Sequence, residues 1–162
     1  MRTFHTLLRI LVGGLFAGHG ARKLFGWFGG RGIEGTGGYF ESIGIRPGKQ
    51  AAMAAGAAEA GGGLLLAAGI ATPLAGAALT GSMSQAIRTV QMSKGPWNSD
   101  GGWEFSVVMI AAVLAMVEED AGLLWALAAL AAGVAGPDFA LQALGKVAAD
   151  QSDQDASITA AA

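Results

Sequence analysis

The chain has no cysteine, one tyrosine, four prolines and two histidines in 162 residues. Without cysteine there are no disulfides, no dithiol relay, no thiolate-bound zinc and no cysteine-bound iron–sulfur cluster. Haem is not expected either: on one straight helix His5 and His19 stand about 21 Å apart, too far to share an iron. The same scarcity leaves no metal-ligand set. Any redox role must draw on a bound cofactor, a quinone or a partner protein. Charge is scarce as well, at 14% of residues against roughly 25% in soluble domains. A formal net charge of −2, with no basic patch interleaved with aromatics, speaks against nucleic acid as a partner.

Apolar residues fill the space: 52% of the chain is hydrophobic and 27 residues are glycine, for a mean hydropathy of +0.48. Glycine lets membrane helices approach closely. The composition implies an integral membrane protein whose first partner is the lipid bilayer. The expected fold is an all-α membrane protein, a bundle of four transmembrane helices with a short fifth.

Segment one spans 6–28, with Arg9 close enough to one end to snorkel and Gly14 and Gly18, beside Gly13 and Ala17, as a flat packing face. Its start has the look of a signal peptide. Arg9 interrupts the apolar stretch, however, and no A-x-A site precedes the basic residues, which favours a first transmembrane helix. Segment two spans 48–71, between Pro47 and Pro73, and is apolar apart from Glu59. Segment three, 74–92, carries a polar stripe of Thr80, Ser84 and Arg88 with Gln85 adjacent. Segment four opens at Trp103–Glu104 and ends at the acidic triplet 118–120. The run 121–136 falls short of the ~20 residues of a comfortable span, and Pro137–Asp138 should break it. Residues 1–145 thus form one membrane-embedded domain, and 146–162 a polar, disordered tail. Seven Lys and Arg residues gather on the side opposite the N-terminus, so the positive-inside rule puts that side in the cytoplasm.

Helix alternation gathers the charges. His19, Arg22 and Lys23 close segment one, Arg88 closes segment three, and Glu104 opens segment four on that same side. Glu59 lies deeper, near mid-span. A charge there costs about 2.5–3.5 kcal/mol on insertion scales, so it needs a partner or a task. Glu59 can tie helices together through a base, take part in proton transfer or ligand binding, or face a water-lined cavity. His19 either satisfies a backbone carbonyl or hydrogen-bonds a quinone carbonyl. For Arg22 and Lys23 alone, snorkelling at a membrane boundary is favoured over a functional role.

The stretches GGLFAGHGARKLFGWFGGRGIEGT (13–36), YFESIGIRP (39–47), AAGAAEAGGGLLLAAGIATP (54–73) and KGPWNSDGGWEF (94–105) resemble the DoxX family of small membrane proteins, of the actinobacterial type. The resemblance implies a multi-span bundle in the cytoplasmic membrane and a link to quinone, thiol or oxidative-stress chemistry. It marks His19, Lys23, Glu59 and Glu104 as the matching polar residues. The sequence reading is therefore a subunit of a redox complex that contacts quinone. Glu59 and His19 would do the chemistry, and Lys23, Arg22, Arg88 and Glu104 would hold the cofactor. Soluble or membrane redox partners and a homo-oligomer fit this reading. A non-enzymatic scaffold anchoring other proteins, or a proton-coupled transporter of small solutes, are its rivals.

Overall fold

The computed structural model describes residues 2–161 and is all-α. Its helices are α1 (Arg2–Phe25), α2 (Gly32–Ser42), α3 (Gly48–Ala68), α4 (Thr72–Ala86), α5 (Glu104–Ala121) and α6 (Leu123–Ala161). The chain leaves α4 through a π-helical turn, Ile87–Gln91, and short 3-10 turns lead into α5. Helices α1, α3, α4, α5 and α6 run alternately up and down, while the short α2 lies against α1 and α3 at one end.

Glycines set the seams. A Cβ on Gly13 would stand 2.4 Å from the Gly63 carbonyl oxygen, and one on Gly20 would stand 2.3 Å from the Ala60 nitrogen. The backbones of α1 and α3 therefore touch, in an antiparallel register that sets Gly13 beside Ala67 and Gly20 beside Ala60. Gly14 and Gly18, the pair that spacing assigns to packing, look onto open space. They are rotated out of the seam because it follows Gly13, Phe16 and Gly20, the three- and four-residue steps of one helical face. Helix α3 then stops at Gly69, whose φ of 68° suits glycine. There the Ile70 N–H reaches back to the Leu65 carbonyl at 3.0 Å.

Helices α4 and α6 meet at a second glycine seam, with Gly133 against Thr80 and Gly81 against the Gly133 carbonyl and the Pro137 ring. Here the structure corrects the expected break. Pro137 sits inside α6, which continues to Ala161. Proline removes one hydrogen bond, to the Gly133 carbonyl, and Gly81 closes on that oxygen from α4. Beyond it, the alanine-rich polar stretch extends the helix.

Val12, Phe16, Leu66, Leu79, Val113 and Met116 pack the centre. Large apolar side chains also face outward: Phe4, Leu7, Leu11 and Leu15 on α1, Val108 on α5, and Leu124 and Leu127 on α6 are all exposed. Contiguous apolar surface of this kind is a liability in water and the norm in lipid. Helix α3 and the 123–154 stretch of α6 are long and apolar enough to cross a bilayer. The molecule has the build of a lipid-embedded helical bundle.

Candidate functional site

The close approach of α1 to α3 and of α3 to α4 decides which side chains meet. Gly62 packs on Ala78 and Leu79, so three residues earlier on α3 and three later on α4 bring Glu59 opposite Ser82. On the other flank, Lys23 extends from α1 past Gly56. Glu59 is 1% exposed. One carboxylate oxygen accepts from Lys23 Nζ and the other from Ser82 Oγ. Three helices thus converge on one buried carboxylate, and its charge is met by a cation whose side chain is 26% exposed.

This triad forms part of the wall of a cavity of about 510 Å³. Its other walls are mostly apolar, with alanine the commonest residue, and Tyr39 and Phe40 of α2 with Ile43 just past it stand at one end. The cavity follows α4 and the π-helical turn after it, from Leu74 to Val90, about 24 Å at the helical rise. Glu59 and Lys23 therefore lie partway along a long apolar slot. Gln85 and Thr89 add polar groups on the α2 side of the triad, where the Thr89 hydroxyl is spent on the Gln85 carbonyl at 2.8 Å. The π-helical turn beginning at Ile87 carries Thr89 and Val90 in this wall, and such turns recur at functional sites.

Of the six residues singled out in the sequence, Lys23 and Glu59 come together. The other four lie elsewhere. His19 is exposed, lines no part of the cavity and has no hydrogen-bond partner among the described residues. Arg22 turns away to donate to the Phe28 carbonyl at 2.5 Å, bracing the turn after α1. Arg88 pairs with Asp138 of α6 at 2.9 Å and donates to Gln85 Oε1 at 3.3 Å. Glu104 accepts from the Asn98 N–H at 2.8 Å and so folds the loop before α5.

Ser82 is the residue that sequence reasoning missed. The stripe Thr80–Ser84–Arg88 drew attention to the wrong face of α4, since Ser82 lies about 200° around the helix from Thr80. Thr80 is fully buried against α6, and its hydroxyl has no partner among the described residues. The signal that could have found Ser82 is the need itself. A buried carboxylate seeks more than one donor, and Ser82 is the hydroxyl opposite it in an antiparallel α3–α4 register.

The other end of the bundle holds a separate ionic clasp. Arg9 Nη1 binds both carboxylate oxygens of Asp120, at 2.9 and 2.8 Å. His5 Nε2 lies 3.4 Å from Glu119. This clasp ties α1 to the last turn of α5, far from Glu59. Among the described residues no group of three or more His, Asp or Glu side chains is placed to hold a metal ion.

The DoxX family profile matches residues 4–92, more than half of the chain. No curated protein and no solved structure matches. The matched stretch contains Lys23, Glu59 and Ser82, whereas Glu104 and the loop before it lie outside. A helical bundle with an apolar exterior, closed glycine seams and this profile leads to one assignment: the chain belongs to the DoxX family of membrane proteins.

Proposed function

We propose that this chain is a multi-pass subunit of a redox complex in the cytoplasmic membrane, crossing with α1, α3, α4, α5 and α6, and that its cavity takes a quinone. The observation that carries this reading is the Lys23–Glu59–Ser82 triad on the wall of a long apolar slot. A structural ion pair needs no cavity beside it. Here the carboxylate is buried among helices and yet borders space that a lipophilic molecule can fill.

The donor set fits. A quinone presents two carbonyl acceptors on an apolar body. The Lys23 ammonium has three N–H groups, with Glu59 taking one, and the Gln85 amide offers further donors. When bound, a quinone supplies two-electron, two-proton chemistry. The residues of the chain hold and orient it. Lys23 and Gln85 bind carbonyl oxygens, the apolar walls exclude water, and Glu59 holds or releases a proton at its carboxylate while Ser82 fixes the carboxylate's orientation.

Solvent extraction of the mildly solubilised protein tests this reading. Near-stoichiometric quinone is expected from the parent, with a fall of about tenfold or more in Lys23→Ala and Glu59→Gln. An empty extract from a parent that also fails to take up added quinone would overturn it. His19 lies off the cavity, so His19→Ala should retain the quinone.

A further inference from the structure

A second, open cleft of about 410 Å³ lies at the α2 end of the cavity, lined by Glu41, Arg46, Pro47 and Gly145. It is separated from the apolar slot by very little. Ile45 lines the slot and its neighbour Arg46 lines the cleft; Leu144 lines the slot and its neighbour Gly145 lines the cleft. The partition between charged cleft and buried carboxylate is therefore the α2–α3 loop on one side and the far part of α6 on the other.

That part of α6 is weakly held. Up to Pro137 the helix is locked to α4 by the Gly133–Thr80 and Gly81–Pro137 contacts. Past Pro137, which lacks the N–H that would tie it to Gly133, Gly145 meets nothing within 4 Å of a Cβ position, and Phe139 and Val147 are exposed. Among the described residues, the ion pair Arg88–Asp138 fastens the arm to the π-helical turn, with both side chains more than a third exposed. Exposed pairs of this kind stabilise little.

We infer that residues 138–145 of α6 form a gate between the charged cleft and the slot, pivoting at Pro137 and latched by Arg88–Asp138. Closed, Leu141 and Leu144 seal the slot from the Glu41–Arg46 side. Open, the arm admits water and small polar solutes, and with them protons, to Lys23 and Glu59. The gate regulates the site described above and rests on the reading of that cavity as the working site. Its test needs no quinone, so a failure of the quinone assignment and a failure of the gate are told apart.

The absence of cysteine makes the test clean, because a single introduced thiol has no background. Ala55→Cys, on the cavity wall one turn from Glu59, is labelled in liposomes with a membrane-impermeant methanethiosulfonate cation. Asn98→Cys on the exposed loop serves as the open reference. The parent should label much more slowly than the reference. Arg88→Ala and Asp138→Asn should each raise the Ala55→Cys rate about two- to fivefold, the scale of a lost exposed ion pair, and Leu144→Ala should raise it too. Exchanging the charges (Arg88→Asp with Asp138→Arg) should restore the slow rate in a fold whose melting is unchanged. A parent that labels as fast as the reference, or latch and Leu144 variants all within experimental error of the parent, would overturn the gate.

Discussion

Glu59 and Lys23 stabilise each other only as a pair, and the consequence can be measured. Removing one partner of a buried pair typically costs about 3–5 kcal/mol, because the other charge is left without compensation. Lys23→Met should therefore destabilise strongly in detergent melts. The double variant Lys23→Met with Glu59→Gln should recover most of the loss. Equal losses in the single and double variants would mean that the pair carries no coupling. Ser82→Ala removes one hydrogen bond to a charged acceptor and should cost about 1.5–3 kcal/mol in the same melts. At this scale the sequence was partly legible. A lone carboxylate in an apolar run announces itself, and alternating helices bring a base within reach. Facing is harder to read. His19, Arg22 and Lys23 share one helical turn, but counted from Gly20 on the α3 seam they lie about 100°, 160° and 60° around the helix. The long stem of Lys23 brings its ammonium back to Glu59, and the other two cannot follow.

The seams between helices make the sharpest contrast among the glycines. Gly20→Ala would drive a methyl group into the α3 backbone at Ala60, and rigid backbone cannot step aside. A loss of about 1–3 kcal/mol is expected. Gly18→Ala meets open space and should be neutral or stabilising by up to about 1 kcal/mol through helix propensity. Parallel melting curves of the two variants check both. Spacing alone favoured Gly14 and Gly18, since a four-residue repeat of small residues is a packing signature wherever it faces. The face is set by the partner helix, which one helix's sequence does not contain. Pro137 shows the same limit: as a breaker it is read locally, while its tolerance depends on Gly81 of α4. At the opposite end, Asp120→Asn should loosen α1 from α5 by about 1 kcal/mol, with a loss that shrinks in high salt.

Taken whole, the bundle carries its apolar residues outward as well as inward, and composition made that legible from the start. Counting spans was harder, because α6 is far longer than its apolar run and α2 lies across one end. The alternation of α1, α3, α4, α5 and α6 puts the N-terminal end and the 94–102 loop on opposite faces. In sealed vesicles Thr3→Cys and Asn98→Cys should react with an impermeant reagent from opposite sides, and the protein should resist extraction by carbonate. Labelling of both from one side would exclude this arrangement.

Three of the four tryptophans give the bundle built-in optical markers of depth. Trp27 and Trp97 stand exposed at the α2 end, while Trp125 stands exposed at the other, on the first turn of α6. All three emit from the zone where lipid headgroups meet the acyl chains, if the ends of the bundle match the bilayer. Brominated lipids quench at a known depth. A bilayer thinner than the bundle would leave one or both ends in water and shift their emission to the red. The intrinsic fluorescence of the unmodified protein therefore reports how much of its height the membrane covers.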